Sequence, residues 1–304
     1  MRILVTGASG HFGGAAARML IERISPRDLI LMTRKPEKLA ALKGAGCEVR
    51  YGDFDDEASL EAAAQGAEKM LLISGMKVGY RIGQHSRAID AAKKAGVRHI
   101  VYTSYIGATK DNPALIAKDH FGTEEKLRAS GLKWTAMRDG LYMNSMVEAA
   151  APPAIKFGRW VTASGEGKTG LIDRAECVGC AVTVLLSAGH DKHVYNISGT
   201  ELWSTSDMAA LMSEISGKPI EVAHVDRDGF YAHFDAMGVP REPLTEFNVG
   251  GIQWCSDDIV SYELAMRDGH FAVPSQDVRT LLGRPAKGFR QFALERADFI
   301  RGCV

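Results

Sequence analysis

Short apolar runs alternate with amphipathic stretches along the first half of the chain. Most of the runs lack polar alternation, which is typical of strands buried on both faces of a sheet. Between them, apolar positions recur at helical spacing, and most of these stretches stop at glycine, as helices commonly do. The alternation predicts an α/β fold with a Rossmann-type, doubly wound parallel sheet. The predicted strands are RILVTG, LILMTR, CEVRYGD, KMLLISG, HIVYTS and WTAMRDG.

The alternation weakens after residue 140, and no Pro/Gly/Ser-rich linker marks the change. We therefore predict a Rossmann-type domain over residues 1–140 and a smaller α/β lobe over residues 141–304. Within the second part, the run HVYNISG at residues 193–199 reads as a further strand that rejoins the main sheet.

A glycine-rich turn stands between the first predicted strand and the first predicted helix. In GASGHFG, Gly7, Gly10 and Gly13 follow the spacing G-x-x-G-x-x-G. Gly7 permits a tight turn, Gly10 lets the backbone approach a pyrophosphate, and Gly13 allows the helix to pack closely on the strand. The helix N-terminus offers N–H groups to the phosphates. The turn therefore predicts a bound dinucleotide, although such a turn can also serve backbone geometry alone. On this prediction residues 1–140 are an NAD(P)-binding domain and residues 141–304 cover the substrate.

The end of the second predicted strand indicates which dinucleotide binds. NAD-binding proteins place a carboxylate there for the ribose 2′-hydroxyl, whereas this chain has Arg34 followed by Lys35. A cationic side chain would pair with a 2′-phosphate, which favours NADP(H). The alternative is a solvated Arg-Lys pair at a strand end. Asp53, after the third strand, is a candidate acceptor for the adenine amino group.

Composition limits the partners. The 37 basic and 37 acidic residues balance, with no long run of either sign, so the chain shows no electrostatic footprint for nucleic acid or a membrane surface. We expect a small-molecule partner and a monomer or homodimer. No signal-peptide pattern is present, and the five cysteines suit reduced thiols, which predicts a cytoplasmic protein. Cys177 and Cys180 read as small hydrophobes on a helix, and no metal site is expected.

Several separated motifs resemble one family. They are VTGASGHFGG, EKMLLISG, QHSRAIDAAKKAGVRHIVYTS, AKDHFGTEEKL and MRDGLYMNS. In this order they resemble the NmrA-like atypical short-chain dehydrogenases/reductases, and within that family the group of NAD(P)H:quinone oxidoreductase type 2 and triphenylmethane reductase. The resemblance extends from residue 1 to about residue 220.

The resemblance implies a set of cofactor-binding positions. Ser9, His11 and Phe12 would join the glycines around the pyrophosphate. Ser74, Gly75 and Met76 would line the path of the ribose, and Ser104 keeps the position of the hydroxyl that short-chain dehydrogenases carry. The segment that borders the nicotinamide would comprise Arg138, Asp139, Gly140, Leu141 and Tyr142. The group usually has Asn where this chain has Asp139, and a carboxylate lacks the donors of an amide.

The catalytic pattern departs from that of the main short-chain dehydrogenases. Their Tyr-x-x-x-Lys acid corresponds here to HFGTE at residues 120–124, so ordinary alcohol–ketone chemistry is not supported. We predict a reductase that uses NADPH in preference to NADH and transfers hydride to an apolar, aromatic acceptor such as a quinone or conjugated enone. His120 and Tyr142 are the candidate proton donors, although both can equally be packing residues. The alternatives are a lignan-type benzylic ether reductase and a non-catalytic NADP(H)-binding redox sensor.

Overall fold

The structure is a computed structural model that describes residues 1–243 and 254–304. Residues 244–253, which fall in the predicted C-terminal lobe, lie outside the described residues. The strands of the described part are β1 (Ile3–Val5), β2 (Leu29–Thr33), β3 (Glu48–Tyr51), β4 (Lys69–Leu72), β5 (His99–Tyr105), β6 (Lys133–Asp139), β7 (Leu141–Tyr142), β8 (Arg159–Thr162), β9 (Lys168–Ile172), β10 (His193–Ile197), β11 (Leu202–Ser204) and β12 (Glu221–His224). The helices are α1 (His11–Ile21), α2 (Ala40–Gly44), α3 (Glu57–Ala64), α4 (Arg81–Lys94), α5 (Leu115–Ala129), α6 (Met143–Ser145), α7 (Ala151–Phe157), α8 (Arg174–Leu186), α9 (Thr205–Ser216), α10 (Arg227–Ala236), α11 (Ser256–Arg267), α12 (Asp277–Leu282), α13 (Phe289–Leu294) and α14 (Ala297–Arg301).

The central sheet has seven parallel strands in the order β10-β6-β5-β4-β1-β2-β3. The order reverses direction between β1 and β4, as in a doubly wound sheet. Every residue of β1 and β2 is buried, which agrees with their apolar runs. Strand β3 differs because it lies at the edge of the sheet, where Glu48 and Tyr51 are exposed. The predicted Rossmann-type fold is confirmed.

Alternate residues of the central strands serve two apolar layers. Ile3 and Val5 of β1 pack on the face covered by α1 and α8, and Leu4 packs on the face covered by α3 and α4. The hydrophobic periodicity of two along a strand produces this division. Each face of the sheet therefore has its own buried core.

The second half of the chain returns in part to the main sheet. Strand β10 pairs with β6 from His193 opposite Thr135 to Ile197 opposite Asp139, and helix α8 packs against α1. The other described strands form two small sheets, β11-β9-β7 and β12-β8, and a separate apolar cluster is built mainly on α7, α9 and α13. A division at residue 140 into two domains stays a prediction. Within the described ranges, no helix combines the length and apolarity that crossing a bilayer requires.

Candidate functional site

A cavity of about 600 Å³ opens at the carboxyl ends of the parallel strands. The turn after β1, residues 7–13, forms one wall, and the loop after β4, residues 73–77, forms another. Strands β1 and β4 are neighbours at the point where the strand order reverses. This crevice is where open α/β sheets bind their ligands.

The glycine turn has the geometry that its spacing predicts. Gly7 has φ +58°, a left-handed conformation that favours glycine, and the Gly10 N–H donates to the Gly7 carbonyl oxygen at 2.9 Å. A Cβ on Gly13 would lie 2.5 Å from that same carbonyl oxygen. Gly10 occupies the N-cap of α1 and has no side chain with which to cap the first turn. The backbone can therefore come close to a pyrophosphate, and these residues fit a dinucleotide.

Cationic side chains line the cavity where β2 ends. Arg34, Lys35 and Lys38 all border it. Thr33 supports this corner, because its hydroxyl accepts the Lys35 N–H at 3.0 Å and lies 2.7 Å from the Ser9 hydroxyl. Among the described residues that line the cavity, the only carboxylate is that of Asp53. The corner suits a phosphate better than a bare ribose diol.

Tyr142 also lines the cavity, and its hydroxyl is bonded to a buried carboxyl group. Its hydroxyl donates to Asp139 Oδ2 at 2.9 Å. Asp139 is only 2% exposed, and this burial raises its pKa to about 7, although the Tyr142 hydroxyl and the Cys177 thiol act in the opposite direction. Burial also raises the pKa of Tyr142 well above its usual value. The phenol is therefore neutral, and its proton is engaged with Asp139.

Three neighbours of Tyr142 in the predicted nicotinamide segment lie behind the cavity wall. Asp139, Gly140 and Leu141 are absent from the lining formed by the described residues. A Cβ on Gly140 would lie 2.7 Å from the Gly170 carbonyl oxygen, so this position needs glycine for close packing between the two segments. In the described structure, Tyr142 is thus the member of its strand that reaches the cavity.

Ser104 and Arg138 were expected at the cofactor, but the structure directs both to a buried carboxylate instead. The Ser104 hydroxyl donates to Glu124 Oε1 at 2.7 Å, and Arg138 donates to Oε1 and Oε2 of the same group, each at 2.8 Å. Arg138 also donates to the Ala108 carbonyl oxygen at 2.7 Å. The Glu124 side chain is fully buried, so an ion pair and hydrogen bonds are needed to hold its charge. Neither Ser104 nor Arg138 lines the cavity.

His120 is placed as a packing residue. Its side chain is buried among aromatic rings, its Nδ1 lies 2.7 Å from the Tyr102 hydroxyl, and it does not border the cavity. Burial, and then the charges of Arg81 and His85, lower its pKa well below the usual value. Burial in this position disfavours the imidazolium form that a proton donor at neutral pH would need, and the catalytic role of His120 stays a prediction.

The structure brings thirteen of the predicted cofactor residues to one cavity and adds ten that the sequence did not indicate. The thirteen are Gly7, Ser9, Gly10, His11, Phe12, Gly13, Arg34, Lys35, Asp53, Ser74, Gly75, Met76 and Tyr142. The ten are Met32, Thr33, Lys38, Gly52, Phe54, Ile73, Lys77, Gln84, Thr103 and Arg174. Some of these carried a usable signal: Thr33 ends β2, and Arg174 opens a helix directly after its N-cap, Asp173. The binding roles of all these residues stay predictions.

Comparison with known proteins agrees with the site. A family model described as NAD(P)H-binding matches residues 7–176. Quinone oxidoreductase 2 of Escherichia coli is 37% identical over 251 residues, which cover 82% of this chain and 87% of that protein. An NAD(P)H azoreductase of Xenophilus azovorans is 28% identical over 295 residues, covering 97% of this chain and 98% of that protein.

Two solved structures share the whole architecture. The Escherichia coli NADPH-dependent quinone oxidoreductase complexed with NADPH superposes with a TM-score of 0.87 at 32% identity, covering 96% of this chain and 99% of that one. Triphenylmethane reductase of Citrobacter sp. gives a TM-score of 0.84 at 28% identity, with 98% and 100% covered. The chain therefore belongs to the NAD(P)H-binding, NmrA-like atypical short-chain dehydrogenase/reductase family and is an NAD(P)H-dependent oxidoreductase.

Proposed function

We propose that the protein is a reductase that transfers hydride from NADPH to an apolar, aromatic acceptor, with quinones as the main class. Bound NADPH supplies the hydride. The observation that carries the proposal is the state of residues 120–124, where the related dehydrogenases have their Tyr–Lys acid. Here His120 is buried against Tyr102, and Glu124 is held by Arg138. Without a positioned acid, the acceptor must be electrophilic enough to take hydride while water completes protonation.

The preference for NADPH rests on the cationic corner. Arg34, Lys35 and Lys38 border the cavity at the end of β2, where an NAD-specific site would have a carboxylate. The complex of the Escherichia coli relative with NADPH supports the same preference. In this proposal the residues of the corner hold the 2′-phosphate, and the glycine turn holds the pyrophosphate.

The acceptor class is supported by what the relatives are named for. One is a quinone oxidoreductase, one an azoreductase and one a triphenylmethane dye reductase. Their acceptors are conjugated and electrophilic, as the missing acid requires. The acceptor would lie beside Tyr142, and described segments of the smaller lobe, other than strand β10, which rejoins the main sheet, would cover it.

An acceptor screen tests the proposal. NADPH oxidation is followed with quinones, conjugated enones, azo and triphenylmethane dyes, benzylic ethers and simple ketones, and each is repeated with NADH. We expect turnover with quinones, and at low cofactor concentration we expect it to be faster with NADPH than with NADH. A Gly13→Ala variant, in which the turn is obstructed, controls for oxidation that does not require the site. The proposal would be contradicted if only simple ketones were reduced, or if none of these acceptors were. Turnover with benzylic ethers alone would instead make the protein a benzylic ether reductase.

A further inference from the structure

The loop after β4 is held by side chains from the neighbouring helices. At its start, the Gly75 N–H donates to His85 Nε2 at 2.9 Å. At its end, the Gly79 N–H donates to Asp119 Oδ2 at 2.7 Å. Both acceptors are buried, His85 on α4 and Asp119 on α5. The conformation of residues 73–79 therefore depends on groups that lie outside the loop.

Arg81 holds the other polar group of Gly75. Its Nε donates to the Gly75 carbonyl oxygen at 2.6 Å, and its side chain forms an ion pair with Asp119, with 3.6 Å between nitrogen and oxygen. Arg81 and His85 are one turn apart on α4, so both side chains face the loop. The N–H and the C=O of Gly75 are thus both fixed by the same face of one helix.

The hydrogen bonds of His85 define its protonation state. Because Nε2 accepts the Gly75 N–H, that nitrogen carries no proton, and the proton of the neutral ring lies on Nδ1. Nδ1 is 2.9 Å from the Thr123 hydroxyl oxygen, which in turn donates to the Asp119 carbonyl oxygen at 2.9 Å. Burial, and then the charge of Arg81, lower the pKa of His85 to about 3. The ring therefore remains an acceptor for Gly75 across the physiological range.

The held loop forms one wall of the cofactor cavity. Gly75 and Met76 border the cavity, whereas Arg81, His85 and Asp119 do not. A Cβ on Gly75 would lie 3.0 Å from Gln84 Oε1, which shows how closely the loop backbone approaches α4. The three side chains consequently support the wall from behind.

We infer that Arg81, His85 and Asp119 are positioning residues for the cofactor, acting through the backbone of residues 73–79. They hold the loop in the shape that receives the nicotinamide-bearing half of the dinucleotide, and they contribute to its affinity without touching it. The other half is proposed to lie against the glycine turn and the cationic corner, and we expect its affinity not to depend on them. Their positioning role requires only the family's cofactor and is independent of which acceptor is reduced.

A comparison of two ligands tests this assignment. His85→Phe keeps a ring but removes the acceptor for the Gly75 N–H. Fluorescence titration gives the dissociation constants of NADPH and of adenosine 2′,5′-diphosphate, which lacks the nicotinamide-bearing half. We expect His85→Phe to weaken NADPH by about tenfold or more and to change the adenosine diphosphate by less than about twofold. His85→Gln, whose amide oxygen can accept from Gly75, should recover most of the NADPH affinity.

His99 provides the matched control. It is also buried, with its Nε2 2.9 Å from the Thr135 hydroxyl oxygen, but it lies at the start of β5 and does not border the cavity. His99→Phe should leave both dissociation constants unchanged. Unchanged NADPH affinity in His85→Phe, or an equal loss for both ligands, would overturn the assignment. If His85→Phe does not fold, Thr123→Val removes the partner of Nδ1 at nearly constant volume and must show the same selective loss, and an equal loss or none overturns the assignment.

Discussion

The hydroxyl of Tyr142 donates to Asp139 Oδ2 at 2.9 Å, so the tyrosine that borders the cavity directs its proton toward a buried carboxyl group. The ring forms part of the wall while the polar end faces the protein interior. A tyrosine can offer a ligand the surface of its ring and the proton of its hydroxyl. Here the ring is available to a ligand, whereas the proton is directed to Asp139. Tyr142 is therefore placed to shape the site more than to donate a proton.

Substitutions at Tyr142 separate these two functions. General acid catalysis typically contributes about 10²- to 10⁴-fold in rate. Because the hydroxyl is engaged with Asp139, we expect Tyr142→Phe to lower kcat with the best quinone by less than about threefold. Tyr142→Ala should instead weaken NADPH binding, because the ring is removed from the wall. Steady-state kinetics and cofactor titrations on both variants decide the matter, and a loss of about a hundredfold in Tyr142→Phe would make the hydroxyl the acid.

Asp139 should make stability depend on pH. Burial raises its folded pKa to about 7, above the usual value of 3.8 for an aspartate. The folded state therefore holds a proton that the unfolded state has lost between these values, so this group's stabilising contribution is complete at low pH and disappears as pH rises to about 7. Asp139→Asn, which has no titrating carboxyl group, removes this dependence.

The measurement is the difference in Tm between Asp139→Asn and wild type. We expect the Tm of Asp139→Asn minus that of wild type to increase from about pH 5 to about pH 8 and to level off above the folded pKa of Asp139. Using the difference cancels the titration of the other groups. A difference that stays constant over this interval would show that Asp139 is already ionised in the folded protein at about pH 5.

Arg34 should determine the choice between the two dinucleotides. A charge-assisted hydrogen bond contributes about 1.5 to 3 kcal/mol, so Arg34→Ala should weaken NADPH by about one to two orders of magnitude and leave NADH nearly unchanged. Lys93→Ala, at an exposed position near the end of α4 and away from the cavity, serves as the charge-matched control. Fluorescence titration of both cofactors gives the answer, and equal losses for NADPH and NADH would reject the 2′-phosphate role.

Gly13 should tolerate no side chain. A Cβ there would lie 2.5 Å from the Gly7 carbonyl oxygen and 2.8 Å from the Ala8 Cα, and both are backbone atoms that cannot move independently of the turn. We expect Gly13→Ala to weaken NADPH and NADH alike by at least about tenfold and to destabilise the fold by about 1–3 kcal/mol. Gly44→Ala is the control, because nothing lies within 4 Å of its added Cβ. Wild-type cofactor affinity in Gly13→Ala would show that the turn can shift without loss.

Much of the fold could be read from local sequence patterns. The strands of the main sheet are short, continuous apolar runs, and burial on both faces requires that composition. The turn at residues 7–13 was predictable for the same kind of reason, because the left-handed φ of Gly7 favours glycine and close backbone contacts at Gly13 leave no room for a Cβ. In both cases the physical constraint acts within a few residues of the chain, so the sequence carries it directly.

The inner part of the site was less predictable because its partners are distant in sequence. Ser104 and Arg138 follow the family pattern, but each lies opposite Glu124 and is drawn to its buried charge. His120, on α5, is similarly enclosed by Tyr102 and Tyr105 of strand β5. Contacts of this kind depend on how α5 packs on β5 and β6, and no local pattern records that packing.

Glu124 should consequently be a stability residue whose loss spares the cofactor. Its side chain is fully buried and receives hydrogen bonds from Ser104, Arg128 and Arg138, the last with 16% of its side chain exposed. Removing one partner of a buried ion pair typically costs about 3–5 kcal/mol, because the other charge is left unpaired. We expect Glu124→Gln to lower the free energy of unfolding by about 3 kcal/mol, the lower end of this range.

The control for Glu124→Gln is Glu125→Gln. Glu125 forms an exposed ion pair with Arg128 on α5, so its substitution should change the free energy of unfolding by less than about 1 kcal/mol. Chemical denaturation gives the free energy of unfolding for both variants, and fluorescence titration gives their affinity for NADPH. Because neither Glu124 nor Arg138 borders the cavity, the folded Glu124→Gln protein should bind NADPH within about twofold of wild type. If instead it unfolds like wild type but binds NADPH much more weakly, Arg138 acts on the cofactor after all, and the family assignment of that residue would be restored.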